Sequence, residues 1–335
     1  HVSPGSQPPI MEAARRAAEV FGVASVGLGV HVSDDFEGIT AVALNMIDGA
    51  PEGSFRVTAR RAMSEFKMSS QEINRELGAA LVAGTGRAVE LKDPRITVHV
   101  EMYGSGGVVY VQKLAGHGGL PTRTAGRVLG LLSGGIDSPI AAWRMARRGA
   151  DVELLHFHGQ PFTDPSSARQ AQDLARALSV FPPGIGLHLI PLGFAQREIA
   201  TACSPELRMI LYRRMMMRIA EKLAARLEAT AIVTGDSLGQ VASQTLANMS
   251  VVDGSTALPV IRPLVGMTKE EIIATARDIH TFEISIRKHQ DCCVLFEPRS
   301  PATKASLDQV RRAEKDLDLT ALTDRALADR ETFIF

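Results

Sequence analysis

Three cysteines in 335 residues are too few for a disulfide framework. The odd count fits a reducing compartment in which one or more thiols do chemistry. Aromatic residues make up 5% of the chain, with a single tryptophan, which leaves few rings for stacking on nucleobases. Neither sign of charge is in excess: 37 Lys and Arg balance 37 Asp and Glu. The global basic footprint of most nucleic-acid binders is therefore missing, and any RNA contact must be local. No apolar run approaches the roughly 20 residues needed to span a bilayer, and the N-terminus lacks a signal-peptide pattern. No membrane association is expected, and the expected location is cytoplasmic. The chain opens on His1, and residues 1–10, rich in Pro, Ser and Gly, read as a tag scar or the cut edge of a longer protein.

What is present is 45% hydrophobic residues, enough to bury two cores or one large one. The first part mixes periods: helices are predicted over 12–20 and 70–82, and strands over 24–32, 55–59, 95–101 and 107–112, the last two across a Gly-rich turn. That is an α+β pattern. Gly116, Gly118, Gly119, Pro121 and Gly126 mark a linker over 114–126. Beyond it, apolar β runs at 128–132, 152–157, 187–192 and 231–234 alternate with helical segments, as in a doubly wound parallel sheet of the α/β class. The longest helix is predicted over 205–229, where Leu207, Leu211, Met215, Ile219, Leu223 and Leu227 recur every four residues as one buried stripe. The expected organisation is a partial N-terminal segment over 1–20, a small α+β domain over 8–113, the α/β domain over 127–303 and a helical tail over 304–335.

The first chemical signal is Leu131, Leu132, Ser133, Gly134, Gly135, Ile136, Asp137, Ser138, Pro139, a Gly-rich turn between a buried strand and a helix. Ser138 is placed to cap that helix, Pro139 suits its first turn, and Gly149 stands where it should stop. The glycines admit a phosphate close to the backbone, and the helix N-terminus points N–H groups at it. The Lys-Ser or Lys-Thr of a Walker loop is missing, so pyrophosphate binding is favoured over transfer of a γ-phosphate. Asp137 makes electrostatic sense beside phosphates where it meets Mg²⁺ or a cation; a plain capping role is the alternative. The second signal is Cys292-Cys293, with Arg287, Lys288 and His289 nearby to favour a thiolate; a buried structural pair fits the residues as well. No Cys-x-x-Cys occurs, which counts against an iron–sulfur cluster. His156 and His158 lack a third ligand at suitable spacing, so no metal site is expected there.

The Ser-Gly-Gly-Ile-Asp-Ser loop resembles the pyrophosphate loop of the ATP pyrophosphatases, which cleave ATP to AMP and pyrophosphate. Residues 234–245, Arg262-Pro263-Leu264 and Asp291-Cys292-Cys293 narrow the resemblance to the tRNA 4-thiouridine synthetases, also implicated in making the thiamine thiazole. The similarity runs over residues 21–303. It implies an RNA-binding THUMP domain before a Rossmann-like ATP pyrophosphatase domain, with most of the family's N-terminal ferredoxin-like domain missing. It further implies a nucleotide pocket of Leu131, Leu132, Ser133, Gly134, Gly135, Asp137, Ser138, His156, Phe157, Arg213, Gly235 and Gln244. Asp137 and Lys269 are implied to be required for activity, and Cys292 to carry a persulfide.

Taken without the resemblance, Arg213 beside Arg214 and Arg218 reads equally as a charged helix face, and Lys269 as a solvated first-turn lysine. Cys203 is a candidate resolving thiol or a buried spectator. Arg56, Arg60, Arg61 and Lys67 form a modest basic run that suits RNA or a solvated face. The expected reaction is adenylation of uracil O4 at tRNA position 8 by ATP with Mg²⁺, followed by sulfur delivery from Cys292. The sequence ends too soon after the cysteine pair for a rhodanese domain, so a separate cysteine desulfurase is the expected sulfur donor, and the family implies a homodimer. Two rival readings are a different ATP pyrophosphatase that adenylates a small metabolite, which leaves the cysteine pair unexplained, and a non-catalytic RNA-binding protein, which leaves Asp137, Lys269 and Cys292 unexplained.

Overall fold

The computed structural model describes residues 10–64, 66–288 and 302–335. These divide into two compact units, one of residues 23–117 with the helix before them, the other of residues 118–335 together with Val20–Gly22.

The first unit runs α1 (Ile10–Glu19), β1 (Ser25–Ser33), α2 (Phe36–Asp48), β2 (Phe55–Ser64), α3 (Ser70–Thr85), β3 (Ile96–Gly104) and β4 (Gly106–Ala115). Its sheet has the order β1-β4-β3-β2; β2 and β3 are parallel and the other pairs antiparallel. Period-2 alternation buries Ile96, Val98, Val100 and Met102 of β3 against Ile39, Ala43 and Ile47 of α2 and Ile73, Leu77 and Leu81 of α3. Four-residue spacing on each helix supplies the matching stripe. Helix α3 begins with a capping box of Ser69 and Glu72 and ends at Gly86 in the left-handed region, φ 69°. Helix α2, begun by Asp35 accepting from the Gly38 N–H, was not predicted. Gly38, Thr40 and the β-branched Ile39 and Val42 depress its local propensity, so packing holds it in place.

The second unit runs β5 (Arg127–Leu131), α4 (Asp137–Arg147), β6 (Asp151–His158), α5 (Ser166–Leu178), β7 (Gly186–Pro191), α6 (Gly193–Ala202), α7 (Arg208–Leu227), β8 (Ile232–Val233), α8 (Leu246–Asp253), β9 (Val260–Ile261), α9 (Lys269–Asp278), α10 (Phe282–Ser285), α11 (Leu307–Ala313), α12 (Leu319–Ala328) and β10 (Glu331–Ile334). Sheet order is β10-β7-β6-β5-β8-β9. Strands β5 to β9 are parallel, and β10 is an antiparallel edge on β7, so the tail expected to be wholly helical ends in a strand. One core gathers Ile140, Ala171 and Leu174 from α4 and α5 with Ile272 of α9. A second gathers Ile199 of α6, Met215, Ile219 and Leu223 of α7, and Leu327 of α12. Helices thus cover both faces, as the continuous apolar strands require. Phe21 joins the first of these cores, stacked on Phe181 and edge-on to Trp143.

Candidate active site

Strand order reverses at β5, whose neighbours are β6 on one side and β8 on the other. Ligands in such sheets bind outside the carboxyl ends of the strands at that point. A cavity of about 440 Å³ lies there. Leu131 at the end of β5 and Leu132 just after it, Leu155, His156 and Phe157 at the end of β6, and Thr234, Gly235 and Asp236 after β8 line it. The α4 N-terminus adds Asp137 and Ser138, α7 adds Arg213, and the segment between β8 and α8 adds Ser243 and Gln244. Of the twelve residues expected at a nucleotide, ten are brought together here; Gly134 and Gly135 do not line the cavity.

Ser138 does not cap α4. It lies inside the first turn, and its Oγ accepts from the Ser133 N–H at 2.8 Å, while Ser133 Oγ accepts from the Gly135 N–H at 3.2 Å. The loop is thus closed on itself by two hydroxyls. The N–H groups of the first turn of α4 have no intrahelical acceptor, a consequence of helix geometry that favours an anion. Gly149, at φ 87°, stands just past the end of that helix, as expected. A Cβ on Gly235 would sit 2.7 Å from the Ser138 nitrogen and 2.9 Å from the Asp137 carbonyl carbon. The glycine is therefore required by the close approach of the β8 loop to α4 as well as by its place in the cavity wall.

Asp137 is half-buried, and burial pushes its carboxyl above the usual range; a hydrogen bond with Gln240 and the Lys269 charge act against this, while Asp236 adds to it. Lys269 is thus near enough to act on Asp137, although it opens α9 outside the cavity lining. Arg213 is already engaged: it is ion-paired with Asp236 and donates to Ser243 Oγ at 2.9 Å. Asp236 also accepts from Thr234 Oγ1 at 2.8 Å and from Arg262 Nε at 3.2 Å. Burial pushes the Asp236 carboxyl up, but Arg213, Thr234 and Arg262 together hold it below the usual range. Gln244 Nε2 donates to the same carboxylate at 3.3 Å, and its Oε1 is buried without a hydrogen-bond partner among the described residues. His156 Nδ1 lies 2.9 Å from the Leu132 carbonyl, which fixes the proton on that nitrogen because a carbonyl only accepts. Asp236, Arg262 and Ser243 escaped sequence reasoning as site residues, although all three stand inside the recognised motifs.

Cys292 and Cys293 lie outside the described residues. Cys203 is buried after α6, and its thiol donates to the Ala313 carbonyl at 3.3 Å. Burial, with Glu314 and Asp316, pushes that thiol up, and it does not line the cavity. This placement suits a core thiol and runs against a resolving thiolate. In the first unit Arg56 and Arg60 share one face of β2, an edge strand, with Arg61 on the other and Lys67 exposed beyond the strand. Arg56 donates to the Leu91 carbonyl at 3.2 Å. The basic run is therefore split between two faces rather than gathered into one stripe.

The sequence matches the family described as "Thiamine biosynthesis protein (ThiI)" over residues 123–319 and the THUMP domain over residues 33–112. It is 43% identical over 323 residues to a protein of Nocardia farcinica described as "Probable tRNA sulfurtransferase", spanning 94% of this chain and 79% of that one. A protein of the same description from Thermus thermophilus is 42% identical, spanning 97% and 80%. A solved 4-thiouridine synthetase, in complex with RNA and with bound ATP, superposes with a TM-score of 0.89 at 34% identity over 99% of this chain and 87% of that one. PH1313 of Pyrococcus horikoshii, 23% identical over 81% of each chain with a TM-score of 0.61, shares the fold. The family match covers more than half of the chain and the relatives match nearly all of it, and the chain belongs to the ThiI family.

Proposed function

We propose that this protein is an ATP-dependent tRNA sulfurtransferase that forms 4-thiouridine at tRNA position 8. The observation that carries the reading is the cavity at the sheet's switch point, where a closed glycine loop, the α4 N-terminus and Asp137 meet an apolar wall. Its volume suits a small ligand. The buried Gln244 oxygen, without a partner among the described residues, is an acceptor for a donor such as the adenine amine, and the apolar Phe157 is available to the base. Phosphates would lie toward Ser133 and the α4 N-terminus. Asp137 offers one carboxylate, which fits Mg²⁺ because that ion keeps several waters and takes further oxygens from phosphates. Bound there, Mg²⁺ would neutralise charge on the leaving pyrophosphate.

In the proposed reaction uracil O4 attacks the α-phosphorus and pyrophosphate leaves. The terminal sulfur of a Cys292 persulfide then attacks C4 and AMP departs. The resulting C4–S–S–Cys bond is cleaved by a thiol, which takes up the second sulfur as a disulfide and leaves thiouridine. With Cys203 in the core, that thiol is an external reductant. A cysteine desulfurase supplies the persulfide, the basic β2 residues contribute to holding tRNA, and the enzyme works as a homodimer in the cytoplasm. No described helix is long and apolar enough to cross a membrane.

Product analysis with labelled ATP, Mg²⁺, a persulfide donor and unmodified tRNA tests this. AMP and pyrophosphate should form in a tRNA-dependent manner, and thiolated uridine should disappear in Cys292→Ser while adenylation persists. ADP as the product, or full thiolation by Cys292→Ser, would overturn it.

A further inference from the structure

Gln170, on α5, is 4% exposed and was not among the residues the motifs single out. Its side-chain amide donates to the Gly134 carbonyl at 2.8 Å and reaches the Ser285 carbonyl at 3.4 Å. Ser285, the last residue of α10, donates its hydroxyl to the Gly135 carbonyl at 3.2 Å. Both glycine carbonyls of the loop are thus held on the side of α5 and α10. In a trans peptide the C=O and the next N–H point in opposite directions, so holding Gly134 O and Gly135 O turns the N–H groups of Gly135 and Ile136 the other way. The first of these already points at Ser133 Oγ, and Ser133 lines the cavity. Glycines have little intrinsic barrier to the flipped arrangement, and a flip would aim a carbonyl oxygen, a partial negative charge, at the phosphates.

We propose that Gln170, seconded by Ser285, is a positioning residue for the phosphate loop: it keeps two backbone carbonyls out of the cavity and so presents amides to the polyphosphate. This rests on the nucleotide reading of the cavity given above. Gln170 also links the loop to α10, which follows α9 and its Lys269 in the chain.

The full-length Gln170→Met variant keeps the side-chain length and removes the donor. It should bind ATP at least tenfold more weakly than the unchanged protein, yet bind adenosine, which has no phosphate, within twofold of it, with a Tm within a few degrees. Gln170→Glu should be as poor at neutral pH, where a carboxylate faces two carbonyls, and should recover ATP affinity as acid protonates it and restores an O–H donor. Should Gln170→Met fail to fold, Ser285→Ala reads the same ATP-to-adenosine ratio, with a shift of threefold or more expected. Equal weakening of ATP and adenosine, or no change in either ratio, would overturn the proposal. An unchanged protein that binds neither ligand would instead overturn the nucleotide reading on which it rests.

Discussion

A carboxylate half out of water in a cavity wall is held there against its own preference, and burial accordingly pushes the Asp137 carboxyl up. Between the ordinary Asp value and the raised one, the native state holds more protons than the unfolded chain. Stability therefore falls as pH rises through that window, and the cost persists above it. Asp137→Asn should accordingly raise Tm at pH 7, with the gain vanishing below about pH 4, while adenylation drops on the order of 100-fold. Thermal melts across pH, paired with AMP release, check both halves; a stabilised variant with full activity would remove Asp137 from the reaction. Gly235 makes the converse case, a residue whose importance lies in having no side chain. Gly235→Ala drives a methyl into the α4 backbone at 2.7 Å and should cost about 1–3 kcal/mol in denaturant melts, with ATP affinity falling as the loop is displaced.

At the scale of elements, α7 presents Arg213 to the cavity because its neighbours fix it. Arg214, 2% exposed, and Arg218 both form paired bonds with Glu314, just past α11, and Arg214 also donates to the Val251 carbonyl of α8. Burial pushes the Glu314 carboxyl up, but the two guanidiniums outweigh it and hold it below the usual range. Its contribution to stability is present above the ordinary Glu value and lost as pH falls through the depressed one. Glu314→Gln should therefore destabilise by about 3–5 kcal/mol at pH 7, since the buried Arg214 and the half-buried Arg218 lose their partner, and the gap should narrow in acid; urea melts at two pH values decide it. Three arginines in six residues could not be told apart in the sequence, because the partner that pairs with two of them lies about a hundred positions later. The parallel strands and the glycine loop were legible, since apolar runs and Gly-Gly before a helix are local signals. Helix α2 was not, because its stability comes from the sheet it covers, nor was the Asp236 network, which needs three separate segments to meet.

Across the whole molecule the three apolar cores respect the two units. One lies wholly among residues 32–109, and the other two within residues 118–335 joined by Phe21. All residues lining the cavity belong to the second unit. A ligand stabilises the unit it binds by an amount set by its concentration over its Kd, about 2.7 kcal/mol at a hundredfold excess, and amides that exchange through opening of that unit slow in proportion. Saturating ATP should therefore slow hydrogen exchange up to about 100-fold in β5, β6 and α4 and leave β3 and β4 unchanged. A tRNA acceptor fragment should instead protect the first unit, with β2 and its arginines among the affected segments. Equal slowing of both sheets by ATP would mean that they open as one cooperative body, and protection confined to β1–β4 would place the nucleotide in the wrong unit. With the two ligands added together, protection in both sheets that exceeds the sum of the separate effects would show that RNA and nucleotide report to each other, as a tRNA-dependent adenylation requires.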